Sequence, residues 1–246
     1  MPKTQSPVSL FIPCLVDQVY PEIGVAMLNV LRRFGFKVKY DSQQTCCGQP
    51  AFNSGNHAES RVVAKNFLRV FGDDDLIVSP SGSCTAMVRR YYGKLFEGAP
   101  EAKETKKVAD SVFELSEFLI EYADFAGFEN TFSGKIGFHN SCHSLRELRI
   151  AEAPLEILHR FTNDVVMPAG NPICCGFGGL FSIKFSSIAE AMAESRLDYF
   201  AKEGVETLVS NDPGCIMHMR QEATEKNMNM KIVHFAEFLD QNLSSN

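Results

Sequence analysis

The chain has 246 residues, 45% of them hydrophobic and 22% charged, with a formal net charge of −6. That balance suits a globular protein with a real core and gives no electrostatic basis for binding nucleic acid or an anionic membrane. Pro13, Asp17 and Arg32-Arg33 interrupt the nearest candidates for a membrane-spanning run, and the N-terminus lacks the apolar core and cleavage site of a secretory signal. A cytoplasmic protein is expected.

The predicted elements alternate. Residues 8–12 form a short apolar run ending at Pro13-Cys14, which reads as a buried strand. A helix follows with Met27, Val30, Leu31 and Phe34 on one face, stopped by Gly35. Residues 36–40 alternate as a strand, and 41–45 loop into Cys46-Cys47-Gly48. A second helix from about Asn53-Ser54 carries Val62, Val63, Phe67 and Val70. The acidic turn 73–75 bounds a strand at 76–78, which empties into Ser-Pro-Ser-Gly-Ser-Cys84 before a third helix bearing Met87, Val88, Tyr91, Tyr92 and Leu95.

The same order then recurs. A strand at 135–138 ends near Cys142, and a helix carries Leu155, Ile157, Leu158 and Phe161. A strand at 165–167 and a Pro/Gly loop lead to Cys174-Cys175-Gly176. The next helix places Ile188, Ala191, Met192, Leu197 and Phe200 inward, and a strand at 207–209 runs into Asn-Asp-Pro-Gly-Cys215. Residues 113–119 and 234–239 echo each other, and 127–134 is the expected linker. The expected fold is α/β, internally duplicated, with two similar halves (1–130 and 131–246), mainly parallel sheets and the cysteines at the strands' C-terminal ends.

The cysteines carry the duplication. In each copy, 31 residues separate the lead cysteine from the pair, Cys14 from Cys46 and Cys142 from Cys174. From the pair to the last cysteine the gap is 36 residues (Cys47 to Cys84) and 39 (Cys175 to Cys215). All eight cysteines are used, four per copy. In a reducing compartment such a set points to metal ligands or redox groups rather than disulfide staples. Three chemistries are open. A zinc site of four thiolates usually shows two Cys-x-x-Cys knuckles, and adjacent cysteines serve one small ion awkwardly. An iron–sulfur cluster gives neighbouring cysteines different irons to reach. Thiol–disulfide chemistry would favour a Cys-x-x-Cys spacing, which is absent.

The motif resembles the cysteine-rich CCG domain found in heterodisulfide reductase and in several flavoprotein dehydrogenase partner subunits. Residues 48–55 (Gly-Gln-Pro-Ala-Phe-Asn-Ser-Gly), 79–84 and 174–184 (Cys-Cys-Gly-Phe-Gly-Gly-Leu-Phe-Ser-Ile-Lys) look like the lactate utilisation protein A family. The similarity spans almost the whole chain. It implies a cytoplasmic iron–sulfur electron-transfer subunit of an L-lactate-oxidising oxidoreductase complex, working with a ferredoxin-like iron–sulfur subunit and a third companion. One cluster per half is implied, with zinc an alternative in at least one. Its ligands would be Cys14, Cys46, Cys47 and Cys84, then Cys142, Cys174, Cys175 and Cys215, with Gly48 and Gly176 letting the backbone approach.

Heterodisulfide reductase-type subunits end each motif in Cys-x-x-Cys, whereas Ser81 and Asp212 stand at the earlier of those positions here. That departs from a five-thiolate cluster and from direct disulfide reduction. Ser81 and Asp212 are read as helix caps or turn formers, with an oxygen ligand from Asp212 the alternative. His139 and His143 flank Cys142, and the first copy has no histidine to match them. A histidine there would couple proton movement to electron transfer.

Overall fold

The computed structural model describes residues 6–130, 132–168 and 174–245. The chain divides into two compact units, Met1–Ala126 and Gly127–Asn246.

In the first unit, β1 (Val8–Leu10) leads through α1 (Cys14–Gln18) and α2 (Pro21–Arg33) to β2 (Val38–Lys39). Then come α3 (Gln49–Asn53), α4 (His57–Phe71), β3 (Ile77–Ser79) and α5 (Gly82–Ala86), which passes through a π-helical turn (Met87–Tyr91) into α6 (Tyr92–Leu95). α7 (Ala102–Ser111), β4 (Val112–Glu114) and α8 (Leu115–Tyr122) complete it. The four strands form one parallel sheet in the order β2-β1-β3-β4.

The second unit repeats this plan. After β5 (Phe128–Asn130) come β6 (Ile136–His139), a π-helical turn (His143–Leu148), α9 (Glu152–Leu158) and β7 (Val165–Val166). α10 (Leu180–Lys184), α11 (Ser186–Lys202), β8 (Thr207–Ser210), α12 (Pro213–Glu225), β9 (Lys231–His234), α13 (Phe235–Asn242) and β10 (Leu243–Ser245) follow. Its parallel sheet runs β7-β6-β8-β9, and β5 and β10 pair separately as an antiparallel ribbon. The α/β class, the parallel sheets and the two similar halves are as the sequence led one to expect. The order matters for function: the chain leaves β1 (or β6) for one edge of its sheet and the neighbouring β3 (or β8) for the other, which opens a crevice beyond the C-terminal ends of those two strands.

The parallel strands are short and mostly buried, so they read as apolar runs rather than alternations. Helix α2 buries Ile23, Met27, Val30 and Leu31, and α4 buries Ala64, Phe67, Leu68 and Phe71. Three expectations need correcting. Val62 lies on the outer face of α4, 70% exposed, because the helix starts at His57 and its inward face follows Ser60, Ala64 and Phe67. On α11, Ile188 and Ala191 face solvent and the buried row is Ala189, Ala193, Arg196, Leu197 and Phe200. Part of the expected linker is the strand β5, held by β10 from the far end of the unit. The Pro/Gly loop expected before Cys174 falls largely on 169–173, outside the described residues.

Candidate metal centre

Each cysteine follows a strand of the parallel sheet and meets a helix start. In the first half, Pro13 in extended backbone caps α1 and Cys14 is that helix's first residue. The loop bringing Cys46 is pinned to β1 by Gln44, whose Oε1 accepts from the Ile12 N–H at 2.6 Å and whose Nε2 donates to the Leu10 carbonyl at 3.1 Å. Those bonds end β1 at Leu10 and fix the loop above the strand. Gly48 caps α3 at φ 85°, a left-handed conformation that glycine adopts without strain. Ser60 on α4 donates to the Gly48 carbonyl at 3.0 Å, and buried Tyr92 donates to the Cys47 carbonyl at 2.9 Å. Cys84 sits in the first turn of α5, where its N–H donates to Ser81 Oγ at 3.3 Å.

The second half builds the same corner with other bonds. Asn211 Oδ1 accepts from the Ser141 N–H at 3.0 Å and its Nδ2 donates to Asn140 Oδ1 at 3.2 Å, tying the Cys142 turn to the Cys215 turn. Asp212 caps α12, accepting from the Gly214 N–H at 3.0 Å. Ser81 and Asp212 therefore have the capping role read from the sequence. Gly176 has φ 93°, and a Cβ there would lie 2.4 Å from the Ala189 carbonyl oxygen, so α11 leaves room for glycine alone.

The sulfurs converge. Cys14 and Cys46 Sγ are 3.6 Å apart, and Cys175 and Cys215 Sγ are 3.1 Å apart. All eight cysteines are free: Cys14, Cys46, Cys142 and Cys174 are partly exposed, and Cys47, Cys84, Cys175 and Cys215 are buried. One sulfur in each half is the natural anion. Hydrogen bonds from Cys14 and then Cys47, helped by the Gly48 N–H, pull the Cys46 thiol down to about 3. Hydrogen bonds from Cys142 and then Cys175, helped by the Gly176 N–H at 3.4 Å, pull Cys174 down to about 2. Their donors Cys14, Cys47, Cys142 and Cys175 are pushed up in return, first by giving that hydrogen bond and then by burial and the neighbouring sulfurs. Soft donors gathered around one ready thiolate, with glycine N–H groups beside them, fit a thiophilic metal or a cluster. A cleft of about 290 Å³ opens beside Cys14 and Cys46, with Ile12, Asp17, Tyr40 and Gln44 in its wall.

Sequence reasoning missed Arg196 and Ser60, and read Tyr92 as an inward-facing core residue without its bond to the Cys47 carbonyl. Arg196 is only 3% exposed. Desolvation lowers its pKa, while the charges of Cys175, Cys174 and Cys215 favour its cation. His139 at the end of β6 is buried too, and burial, then the Arg196 charge, push it down to about 4, leaving a neutral imidazole. His143 lies on the rim, its Nδ1 3.7 Å from Cys142 Sγ and its Nε2 3.7 Å from Glu147. His57 opens α4 and meets the Phe52 ring edge-on. Among the described residues no helix is long and apolar enough to cross a membrane.

Comparison with known proteins gives a consistent result. The family described as "CCG: Cysteine-rich domain" matches residues 8–89 and again 136–220. The chain is 37% identical over 239 residues to lactate utilization protein A 2 of Bacillus cereus (strain Q1), covering 96% of this chain and 99% of that one. It is 37% identical over 235 residues to lactate utilization protein A of Geobacillus kaustophilus (strain HTA426), covering 95% and 98%. Among solved structures, glutamate racemase from Francisella tularensis superposes with a TM-score of 0.40 at 14% identity, over 96% of this chain and 78% of that one. That likeness carries no functional argument.

Proposed function

The chain belongs to the cysteine-rich CCG family, in two copies, and to the lactate utilization protein A family along nearly its whole length, and from that premise we propose that it is a cytoplasmic iron–sulfur electron-transfer subunit of a lactate-oxidising complex. The observation that carries the reading is the run of sulfur contacts linking four cysteines in each half, from Cys14 through Cys46 and Cys47 to Cys84, and from Cys142 through Cys174 and Cys175 to Cys215. Cys14, Cys46, Cys47 and Cys84 hold one centre, and Cys142, Cys174, Cys175 and Cys215 the other. When bound, an iron–sulfur centre supplies one-electron redox chemistry.

The protein's own residues prepare each site. Gly48 and Gly176 turn the chain directly after each adjacent pair, of which one cysteine is buried and the other lies at the rim. The glycine N–H groups stabilise sulfur charge. We assign the taking of a proton or hydride from the 2-hydroxy acid to a partner, and to this chain the passage of the electrons. The partners we assign are a ferredoxin-like iron–sulfur subunit and a third companion. Leu180, Ile183, Phe185 and Ile188, exposed just after the second cysteine pair, give the kind of apolar surface a partner covers.

The second reading is zinc in at least one half, in a scaffold that assembles the partners. Cys175 and Cys215 bear on it there, because their sulfurs, 3.1 Å apart, are near enough to serve one small ion with a modest outward shift. Iron, acid-labile sulfide and zinc per chain, measured on protein purified without oxygen, decide between them. Iron with matching sulfide supports electron transfer; stoichiometric zinc without sulfide replaces it with the scaffold.

A further inference from the structure

The two halves share a frame but differ beneath the cysteines. Three residues before Cys14 stands Phe11, and three before Cys142 stands His139. Gly48 packs on Ser60 of α4 and Gly176 on Ala189 of α11; seven residues further along those helices lie Phe67 and Arg196. Eight residues after Cys84 and Cys215 come Tyr92 and Ala223. In the first half, Phe11 and Phe67 meet edge to face at 4.8 Å, Phe67 touches Tyr92 at 5.6 Å, and all three are fully buried. In the second half a histidine, an arginine and an alanine hold the corresponding positions, so an aromatic floor has become a polar one.

That floor reaches the sulfurs. A ring nitrogen of His139 and the sulfurs of Cys175 and Cys215 lie within 4.8 Å of one another, the one such group of three among the described residues. His139 is 2% exposed, yet its Nε2 has no hydrogen-bond partner. A buried polar nitrogen left unsatisfied destabilises the fold, so its presence calls for something that takes its lone pair or its proton. Two soft donors and one imidazole at this separation are a familiar composition for a transition-metal site.

We propose that His139 is a metal ligand of the second half, binding alongside Cys175 and Cys215, so that the two halves hold centres of different composition. The first is all-thiolate and the second mixed thiolate–imidazole. The proposal rests on the metal-site reading above and adds to it a ligand outside the repeated motif. A neutral imidazole brings less negative charge than a thiolate, and Arg196 beside the same sulfurs brings a positive one. Both raise the reduction potential of a redox centre, so an electron shared between the halves rests on the second.

The test uses the full-length chain purified without oxygen, unlabelled or carrying 15N-histidine, as wild type, His139→Phe and His139→Cys. If sulfide is present, pulsed electron paramagnetic resonance is read in whichever oxidation state carries unpaired spin. The expected result is a strong nitrogen coupling that changes with the label and is lost in both variants, with His139→Cys keeping its second-half metal and moving that centre to a lower potential. If sulfide is absent, the iron–sulfur reading fails by itself, and zinc-edge X-ray absorption then reports the ligand. One nitrogen in the second-half shell, lost in both variants, is expected. A sulfur-only shell, or only the weak coupling of a hydrogen-bonded ring in the wild type, overturns the proposal. So does a nitrogen signal that survives His139→Cys.

Discussion

Tyr92 donates its phenolic hydroxyl to the backbone carbonyl of Cys47 at 2.9 Å, joining two buried residues 45 positions apart in sequence. The ring is also part of the aromatic floor, so Tyr92→Phe removes the hydroxyl and little else. It leaves the Cys47 carbonyl buried without that donor and should cost about 1–2 kcal/mol. The measurements are urea unfolding and the rate of metal loss to a chelator. The first half should release its metal faster, and the second, with Ala223 at the matching place, should not change.

Cys47→Ser and Cys175→Ser test whether each half owns its site. If each half holds its own centre, as proposed, either substitution alone should leave about half of the metal per chain, and the double variant close to none. Elemental analysis after anaerobic purification gives the answer. A single substitution that empties the whole chain would mean one shared site.

The two capping glycines should respond unequally. Gly48→Ala forces φ 85° on an L-residue and brings a Cβ to 3.0 Å from Ser60 Oγ and 3.1 Å from the Ser60 carbonyl oxygen, contacts relieved by a shift of a few tenths of an ångström; the expected cost is about 1–2 kcal/mol. Gly176→Ala has the same backbone strain and also meets the Ala189 carbonyl, which cannot move without shifting α11. It should be the more destabilising of the two and should empty the second half first, as seen by thermal unfolding and metal content.

Glu114 ties stability to pH. It ends β4 wholly buried, its Oε2 accepting from the Ser116 N–H at 2.9 Å and from the Ser116 hydroxyl, while its Oε1 has no hydrogen-bond partner. Burial raises its pKa from an ordinary 4.5 to about 7. The protonated form is thus favoured in the folded state. The stability it contributes is fully present below pH 4.5 and is lost as pH rises through about 7. Relative to Glu114→Gln, the wild type should lose up to about 3 kcal/mol between about pH 4.5 and pH 8. Urea titrations of both proteins across that range measure it, and parallel curves would show that Glu114 does not titrate as described.

Much of this is legible from the residues. The cysteine repeat marks both sites, the alternation of strands and helices sets their place at the sheet ends, and the residues before Cys84 and Cys215 declare themselves as caps. Other features depend on partners distant in sequence. β5 exists because β10 pairs with it from the end of the unit, and nothing local in 128–130 signals that. β1 stops at Leu10 because the Ile12 N–H turns to Gln44, although the apolar run continues. Hydropathy misplaces the phase of α11 because it sends arginine to solvent. Arg196 is buried where sulfur charge compensates it, and Ile188 faces out instead. A charged residue on the inner phase of that helix, paired with the histidine three positions before Cys142, is the signal the sequence offers.

Each adjacent cysteine pair straddles the protein surface: Cys46 and Cys174 are partly exposed, Cys47 and Cys175 buried. Chemical ageing should therefore run from the outside inward. Peroxide and dissolved oxygen meet Cys14, Cys46, Cys142 and Cys174 first, and because Cys46 and Cys174 are also the readiest thiolates, they enter the oxidation ladder first. The buried sulfurs beneath them stay reduced longer. Early injury is then confined to a rim that a thiol reductant can repair while the floor of the site remains able to take up fresh metal.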